Sequence, residues 1–216
     1  MICQSQSVIS PGAGAHQAGS AGGPWPGFSA QPVRAAARSS RTAETRLTAW
    51  RGLWLAARMI RTATPDDIPL IHTLVRELAE YEKEPHEARA TEEQLREALF
   101  GERPAAYAHI AVDDATGLPV GFSLWFLNFS TWRGVHGIYL EDLYVRPEAR
   151  GGGHGKALLR ELARICVERG YERLEWSVLN WNAPSIAFYE AMGARPQDEW
   201  TVYRLTDGAL ADLGSS

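Results

Sequence analysis

The chain has little cysteine, no long apolar run, and no lysine in its first quarter. Its two cysteines, Cys3 and Cys166, are far apart and form no CxxC, so neither a disulfide framework nor a zinc site is suggested. Cys166 falls on the apolar face of a helical pattern, where a small core residue is expected. No apolar stretch approaches the roughly 18 residues of a membrane span. A reducing, cytoplasmic setting and no membrane partner are expected. His72, His86, His109 and His136 show no spacing such as HExxH, so no metal is expected. The nucleotide P-loop is also missing. Gly155-Lys156 is present, but Arg150 stands where the first glycine belongs and Ala157 replaces the hydroxyl residue. The dinucleotide pattern GxGxxG fails as well, because from Gly151 it ends on Lys156.

Basic charge is scarce where the periodic part of the chain lies. Residues 1–58 hold six Arg, no Lys and one acid, Glu44, a net +5; the whole chain is at −4, so residues 59–216 carry −9. An acidic domain without a basic stripe is a poor partner for nucleic acid. Its field favours a small cationic substrate. Residues 1–58 are rich in Gly, Ala, Ser, Pro and Arg and show no sustained periodicity before residues 47–57. Such a segment is expected to be a disordered extension. It superficially matches an organellar targeting segment. Met59 directly precedes a strand-like opening, so a start of translation at Met59 is a further reading.

From Met59 the pattern is regular. A short strand at residues 60–63 leads to Thr64-Pro65-Asp66-Asp67, an N-cap, a first-turn proline and two acids. Ile68, Ile71, Leu74, Val75 and Leu78 form a helical stripe ending near Tyr81. Thr91-Glu92-Glu93-Gln94 is a capping-box pattern for a second helix, which stops at Gly101. Residues 107–112, 119–129 and 135–145 read as an antiparallel meander. A helix, then a strand at residues 173–179, form a parallel crossover unit. A helix capped by Asn182 runs to Met192, and a last strand covers residues 200–205. The expected class is α/β: a mixed, mostly antiparallel central sheet with a splayed parallel strand pair and helices on both faces.

Residues 141–159 are the centre of this arrangement. Tyr139, Glu141, Leu143 and Val145 alternate with Leu140, Asp142 and Tyr144, and Pro147 ends the strand. Four of residues 151–155 are glycine, and Leu158, Leu159, Leu162, Ile165 and Cys166 follow at helical spacing. A bare turn before a helix lets an anion approach the first amides. The order Arg150, Gly153, Gly155 gives Arg-x-x-Gly-x-Gly. With Glu77-Leu78-Ala79-x-Tyr81-Glu82, Tyr139-Leu140-Glu141-Asp142 and Trp181-Asn182-x-Pro184-Ser185-Ile186-x-Phe188-Tyr189, it resembles the GCN5-related N-acetyltransferase family. It is similar there to the spermidine/spermine (diamine) acetyltransferases. The resemblance covers residues 59–206 and none of residues 1–58.

The resemblance implies an N-acetyltransferase domain at residues 59–216 that uses acetyl-CoA as co-substrate. By it, Leu143, Tyr144 and Val145 bind acetyl-CoA along a splayed strand edge, with a main-chain amide, that of Val145, facing the thioester carbonyl. Arg150, Gly151, Gly152, Gly153, His154, Gly155 and Lys156 hold the pyrophosphate. The sequence also leaves open that His154 is simply an exposed loop residue, the reading favoured here. Asn182, Ala183, Pro184 and Ser185 contact the pantetheine arm. Tyr189 is the general acid, and Glu141 accepts the amine's proton. Tyr81, Glu82, Glu175, Trp176 and Ser177 line the acceptor region, and the protein is expected to be a homodimer. The chemistry agrees with these roles. A protonated amine must lose a proton before attacking a thioester, and the departing thiolate can be protonated by a tyrosine hydroxyl. No Gly-x-Ser-x-Gly elbow is present, which favours direct attack in a ternary complex on a small polyamine, diamine or lysine-like amine. Acetylation of a protein or antibiotic amine, and a non-catalytic acetyl-CoA-binding module, are the alternative readings.

Overall fold

Alternating sequence builds a six-stranded sheet in the computed structural model, which describes residues 2–3 and 60–215. The reading of residues 1–58 lies outside the described residues, except at a two-residue strand, β1 (Ile2–Cys3). The other strands are β2 (Ile60–Thr62), β3 (Tyr107–Val112), β4 (Pro119–Ser130), β5 (Val135–Val145) and β6 (Leu174–Trp176). The sheet runs β1-β5-β4-β3-β2. The edge of β5 away from β4 takes two partners. It pairs parallel with β6 at Ile138 to Leu140 and antiparallel with β1 at Leu143 and Tyr144. All other pairings are antiparallel.

Helices α1 (Ile68–Tyr81) and α2 (Glu92–Phe100) cover one face. Ile68, Ile71, Leu74 and Leu78 of α1 pack with Leu99 of α2 onto Ala108, Ile110, Phe122 and Tyr144. Each fully buried side chain of this size contributes about 1.5–3 kcal/mol. The α1 entry is fixed by charge. Arg61 donates twice to the Asp67 carboxylate, at 2.6 and 2.7 Å, and holds its pKa down at about 2. Helix α3 (His154–Arg169) packs on β3, β4 and β5. It covers the opposite face, because the His109 ring, which alternates with Ala108 and Ile110, feels the charges of Glu161 and Arg164 on α3. Cys166 is buried there, where burial raises its thiol pKa, so it is the core residue that its position on the stripe indicates.

Residues 180–215 form a second compact unit. It contains α4 (Ala183–Glu190) and α5 (Asp207–Gly214). Three boundaries differ from the sequence reading. The strand expected over residues 173–179 is only Leu174–Trp176, because its partner β5 changes course at Glu141, as described below. The helix expected to reach Met192 ends at Glu190. Residues 200–205 form no strand: Trp200, Val202 and Tyr203 are exposed and have no ladder partner among the described residues. Alternation reports fitness for a sheet face, not the presence of a neighbour to pair with.

Candidate active site

The centre of the site is an irregularity in β5. Leu124 of β4 stands opposite Asp142, and the next residue, Trp125, stands opposite Leu140. Glu141 is therefore the extra residue of a β-bulge, a device that re-aims side chains. Simple alternation fails across it. Tyr139 faces Phe126, with the rings stacked 5.2 Å apart, on the α1 side. Leu143 and Val145, two and three pleats on, stand opposite Ser123 and Gly121 on the α3 side. Asp142 moves to the α1 face, in the row of Leu124, Phe122 and Tyr144.

The bulge also opens the sheet. Before it, the Ile138 amide donates to the Arg173 carbonyl. Beyond it, the Arg146 amide donates back across β4 to the Val120 carbonyl at 2.9 Å. Amides alternate in direction along a strand, so those of Leu143 and Val145 point to the edge that β6 has left. On that edge β1 lies beside Leu143 and Tyr144.

At the end of β5 the chain makes a short turn, Pro147–Ala149, then the glycine turn. Gly151 and Gly153 have φ of +86° and +84°, left-handed values that favour glycine, and an added Cβ at either would meet nothing within 4 Å. Gly153 is the N-cap of α3 and offers no side chain. The first ladder bond runs from the Ala157 amide to the Gly153 carbonyl at 2.9 Å. The amides of His154, Gly155 and Lys156 thus precede the ladder, at the positive end of a 16-residue helix. Gly152 and Lys156 are exposed and Gly155 is buried. His154 is not the exposed loop residue favoured from sequence. It is 3% exposed, with Nε2 at 3.6 Å from Asp113 in the β3–β4 turn. Glycines on both sides let the ring fold back over Gly152, and it comes to rest against Asp113.

Of the residues expected to line an acceptor region, Tyr81 and Glu82 stand at the end of α1, and Glu175 and Trp176 stand on β6. Glu77 of α1 pairs with Arg146 at 2.9 Å, which ties that helix to the end of β5. Glu82, its C-cap, is 6% exposed. Burial, and then the charge of Asp142, raise its pKa to about 8. Asp142 is buried too. Tyr81 lies under the Arg150 guanidinium. Glu141 is half-buried. Along the open half of the α1 face, Ser177 Oγ is 2.9 Å from the Tyr139 hydroxyl. Glu175 accepts from Asn128 Nδ2 at 2.6 Å and pairs with Arg173 at 3.0 Å, and Trp176 ends β6. Sequence reasoning missed Asp142, because strict alternation put it on the face opposite Glu141. Two adjacent acids at a strand end were the available signal.

Asn182 is buried and caps α4, its Oδ1 accepting from the Ser185 amide at 3.3 Å. Ala183 and Pro184 are exposed in the first turn, and Ser185 is buried. Tyr189 is 3% exposed, its ring edge-on to Phe188 at 5.3 Å.

A mixed sheet that opens beside a bulge, ending in a glycine turn at a helix start, defines an acyl-coenzyme-type transferase architecture. Residues 71–194 match the acetyltransferase (GNAT) family, and the chain belongs to it. It is an N-acetyltransferase, and the family implies acetyl-CoA as co-substrate. The chain is 38% identical over 168 residues to thialysine N-epsilon-acetyltransferase of Bos taurus, covering 74% of this chain and 98% of that protein. It is 33% identical over 194 residues to an L-ornithine N5-acetyltransferase of Arabidopsis thaliana, covering 70% and 85%. Among solved structures, an integron cassette protein of V. cholerae aligns with TM-score 0.61 at 26% identity, covering 73% of this chain and 97% of that one. Among the described residues no helix is long and apolar enough to cross a membrane, and no group of three or more His, Cys, Asp or Glu is disposed to hold a metal ion.

Proposed function

We propose that the protein transfers acetyl from acetyl-CoA to a primary amine of a small diamine, polyamine or lysine-like acceptor. The observation that carries this reading is the buried acid pair Glu82 and Asp142 beside the bulge. Burial and the neighbouring Asp142 charge hold back the ionisation of Glu82 until a cation joins the two. The distal ammonium of a diamine supplies that cation. The names of the relatives, which act on thialysine and ornithine, support the same acceptor class.

In the reaction the free amine attacks the thioester carbonyl. The amine's proton passes to Glu141, directly or through water. The carbon–sulfur bond then breaks, and the coenzyme thiolate takes a proton from Tyr189. The Val145 amide is the donor assigned to the oxyanion, supported by its direction toward the open edge. Leu143 and Tyr144 run beside the pantetheine arm, which must displace β1 to reach them. Residues 150–156 take the pyrophosphate, with Asn182, Ala183, Pro184 and Ser185 assigned to the arm by the motif they share with the family. Lys156 adds an exposed ammonium to the phosphate site. We place the enzyme in the cytoplasm as a homodimer. The exposed Trp200, Val202, Tyr203, Leu210 and Leu213 supply apolar surface for a second copy. Light scattering should give twice the monomer mass, and a monomer at micromolar concentration refutes the dimer.

Turnover on spermidine, putrescine, lysine analogues and peptides tests the acceptor class. Glu82→Gln tests the carrying observation. It should raise KM for a diamine about tenfold and for a monoamine far less; equal effects refute the role of Glu82. In the wild type, KM for a diamine should fall as pH rises toward 8, as Glu82 ionises, while the amine stays protonated up to about pH 10. Stability moves the other way. The folded protein keeps the Glu82 proton between the ordinary carboxyl range and pH 8 and the unfolded chain does not, so stability falls with rising pH across that window and levels above 8. Glu82→Gln removes that slope and should melt higher than wild type at pH 8.

A further inference from the structure

Arg150 belongs by sequence to the glycine turn, yet its side chain reaches across to the acceptor helix. Its Nε donates to the Val145 carbonyl at 3.0 Å. Val145 carries the amide assigned to the oxyanion, and this bond anchors the other side of the same residue, at the peptide that joins it to Arg146. The guanidinium carbon lies 5.0 Å from the centroid of the Tyr81 ring and 5.9 Å from that of Tyr144. Both are within the range of cation–π attraction. Tyr81 is the last residue of α1, next to Glu82. Nη2 of Arg150 is buried and has no hydrogen-bond partner among the described residues. A buried donor left unmade is costly. One group therefore touches the thioester end of β5 through Nε, the acceptor helix through its face, and presents a waiting donor through Nη2.

We propose that Arg150 and Tyr81 form a bridge that couples the two substrate sites, so that coenzyme bound at the glycine turn increases affinity for the amine. The proposal rests on the reading of residues 150–156 as the coenzyme loop and of α1 as the acceptor helix. An anionic coenzyme oxygen satisfies Nη2 and holds the guanidinium in place. The guanidinium in turn holds the Tyr81 ring, and with it the end of α1 that carries Glu82. Tyr81 is a positioning residue here, acting through Arg150, and its ring rather than its hydroxyl does the coupling. Linkage is reciprocal, so the amine must tighten coenzyme binding by the same factor.

Coenzyme A, which cannot react, is the probe. Its dissociation constant is measured by calorimetry with wild type, Tyr81→Leu, Tyr81→Phe and Arg150→Gln. Tyr81→Leu should weaken coenzyme A about three- to tenfold although it lies on the acceptor helix, and Tyr81→Phe should leave it unchanged. Coenzyme A bound by Tyr81→Leu as tightly as by wild type overturns the bridge. A loss shared by Tyr81→Phe overturns it also, because the hydroxyl would then carry the effect. Arg150→Gln supplies a second arm that does not depend on Tyr81→Leu folding. It should raise KM for the amine at saturating acetyl-CoA, and an unchanged amine KM overturns the coupling. Failure of the underlying reading looks different: Arg150→Gln would then bind coenzyme A like wild type, which removes the residue from the coenzyme loop altogether.

Discussion

Tyr189→Phe is expected to lower turnover about a hundredfold and to leave the dissociation constant of coenzyme A within about twofold of wild type. The magnitude follows from the leaving group. General acids contribute about 10²–10⁴-fold. A thiol has an ordinary pKa of about 8.5, so its thiolate departs near neutral pH with moderate help, and the lower end of the range applies. The substitution is mild for packing. Tyr189 is 3% exposed, and phenylalanine keeps the ring that lies edge-on to Phe188. A melting temperature near wild type with turnover lost marks a catalytic hydroxyl. If turnover were unchanged, Tyr189 would be a core residue and the thiolate would leave unassisted or take its proton from water. If coenzyme binding fell in parallel with turnover, the hydroxyl would be a binding group.

Sequence and structure agree where the period of the chain is local. The helix over Ile68–Tyr81, the capping box at Thr91 and Gln94, and the meander from β3 to β5 were all legible, because each is specified by residues a few positions apart. The glycine turn was legible for the same reason. Glycine at two left-handed positions and a bare N-cap are written directly in residues 151–153. What was hidden depends on pairing. The bulge at Glu141 exists only as a register shift between β4 and β5. No one-strand pattern contains it, and it reassigns Asp142 to the α1 face. The buried state of His154 depends on Asp113, which is 41 positions earlier. The absent strand at residues 200–205 fails for lack of a neighbour, which alternation cannot report.

The Asp142 reassignment changes the chemical picture of the site. From sequence, Glu141 was the lone acid of β5 on the functional side. With Asp142 turned toward Glu82, the acceptor side holds a buried acid pair as well as a half-buried candidate base. A pair and a single acid suit different tasks. In the proposed reaction the pair reads the charge of an ammonium that stays protonated, and Glu141, the single acid, takes the proton of the one that reacts. An acceptor with two amines uses both. This division explains why a diamine should lose more than a monoamine when Glu82 is neutralised.

Gly153→Val should weaken coenzyme A binding about a hundredfold or more, the largest binding effect expected at any single position. Two costs add. At φ of +84° a side chain pays about 1–2 kcal/mol in strain, and a β-branched one is the worst accommodated. The second cost is steric, and it distinguishes a phosphate cradle from a mere turn. An added Cβ at Gly153 meets no protein atom within 4 Å. In the empty protein, valine is therefore opposed by strain alone. In the complex it stands in the approach to the amides of His154, Gly155 and Lys156, which precede the α3 ladder. Gly151 provides the control, since it has φ of +86° and the same open surroundings but is not the N-cap. Gly151→Val and Gly153→Val should lose similar stability, while Gly153→Val loses far more coenzyme affinity. Equal affinity losses would attribute the effect to loop strain. Coenzyme affinity unchanged in Gly153→Val would remove the phosphate from this turn. Dephosphorylated pantetheine sharpens the comparison: it has no pyrophosphate to exclude, so its weaker binding should be the same in Gly153→Val and wild type.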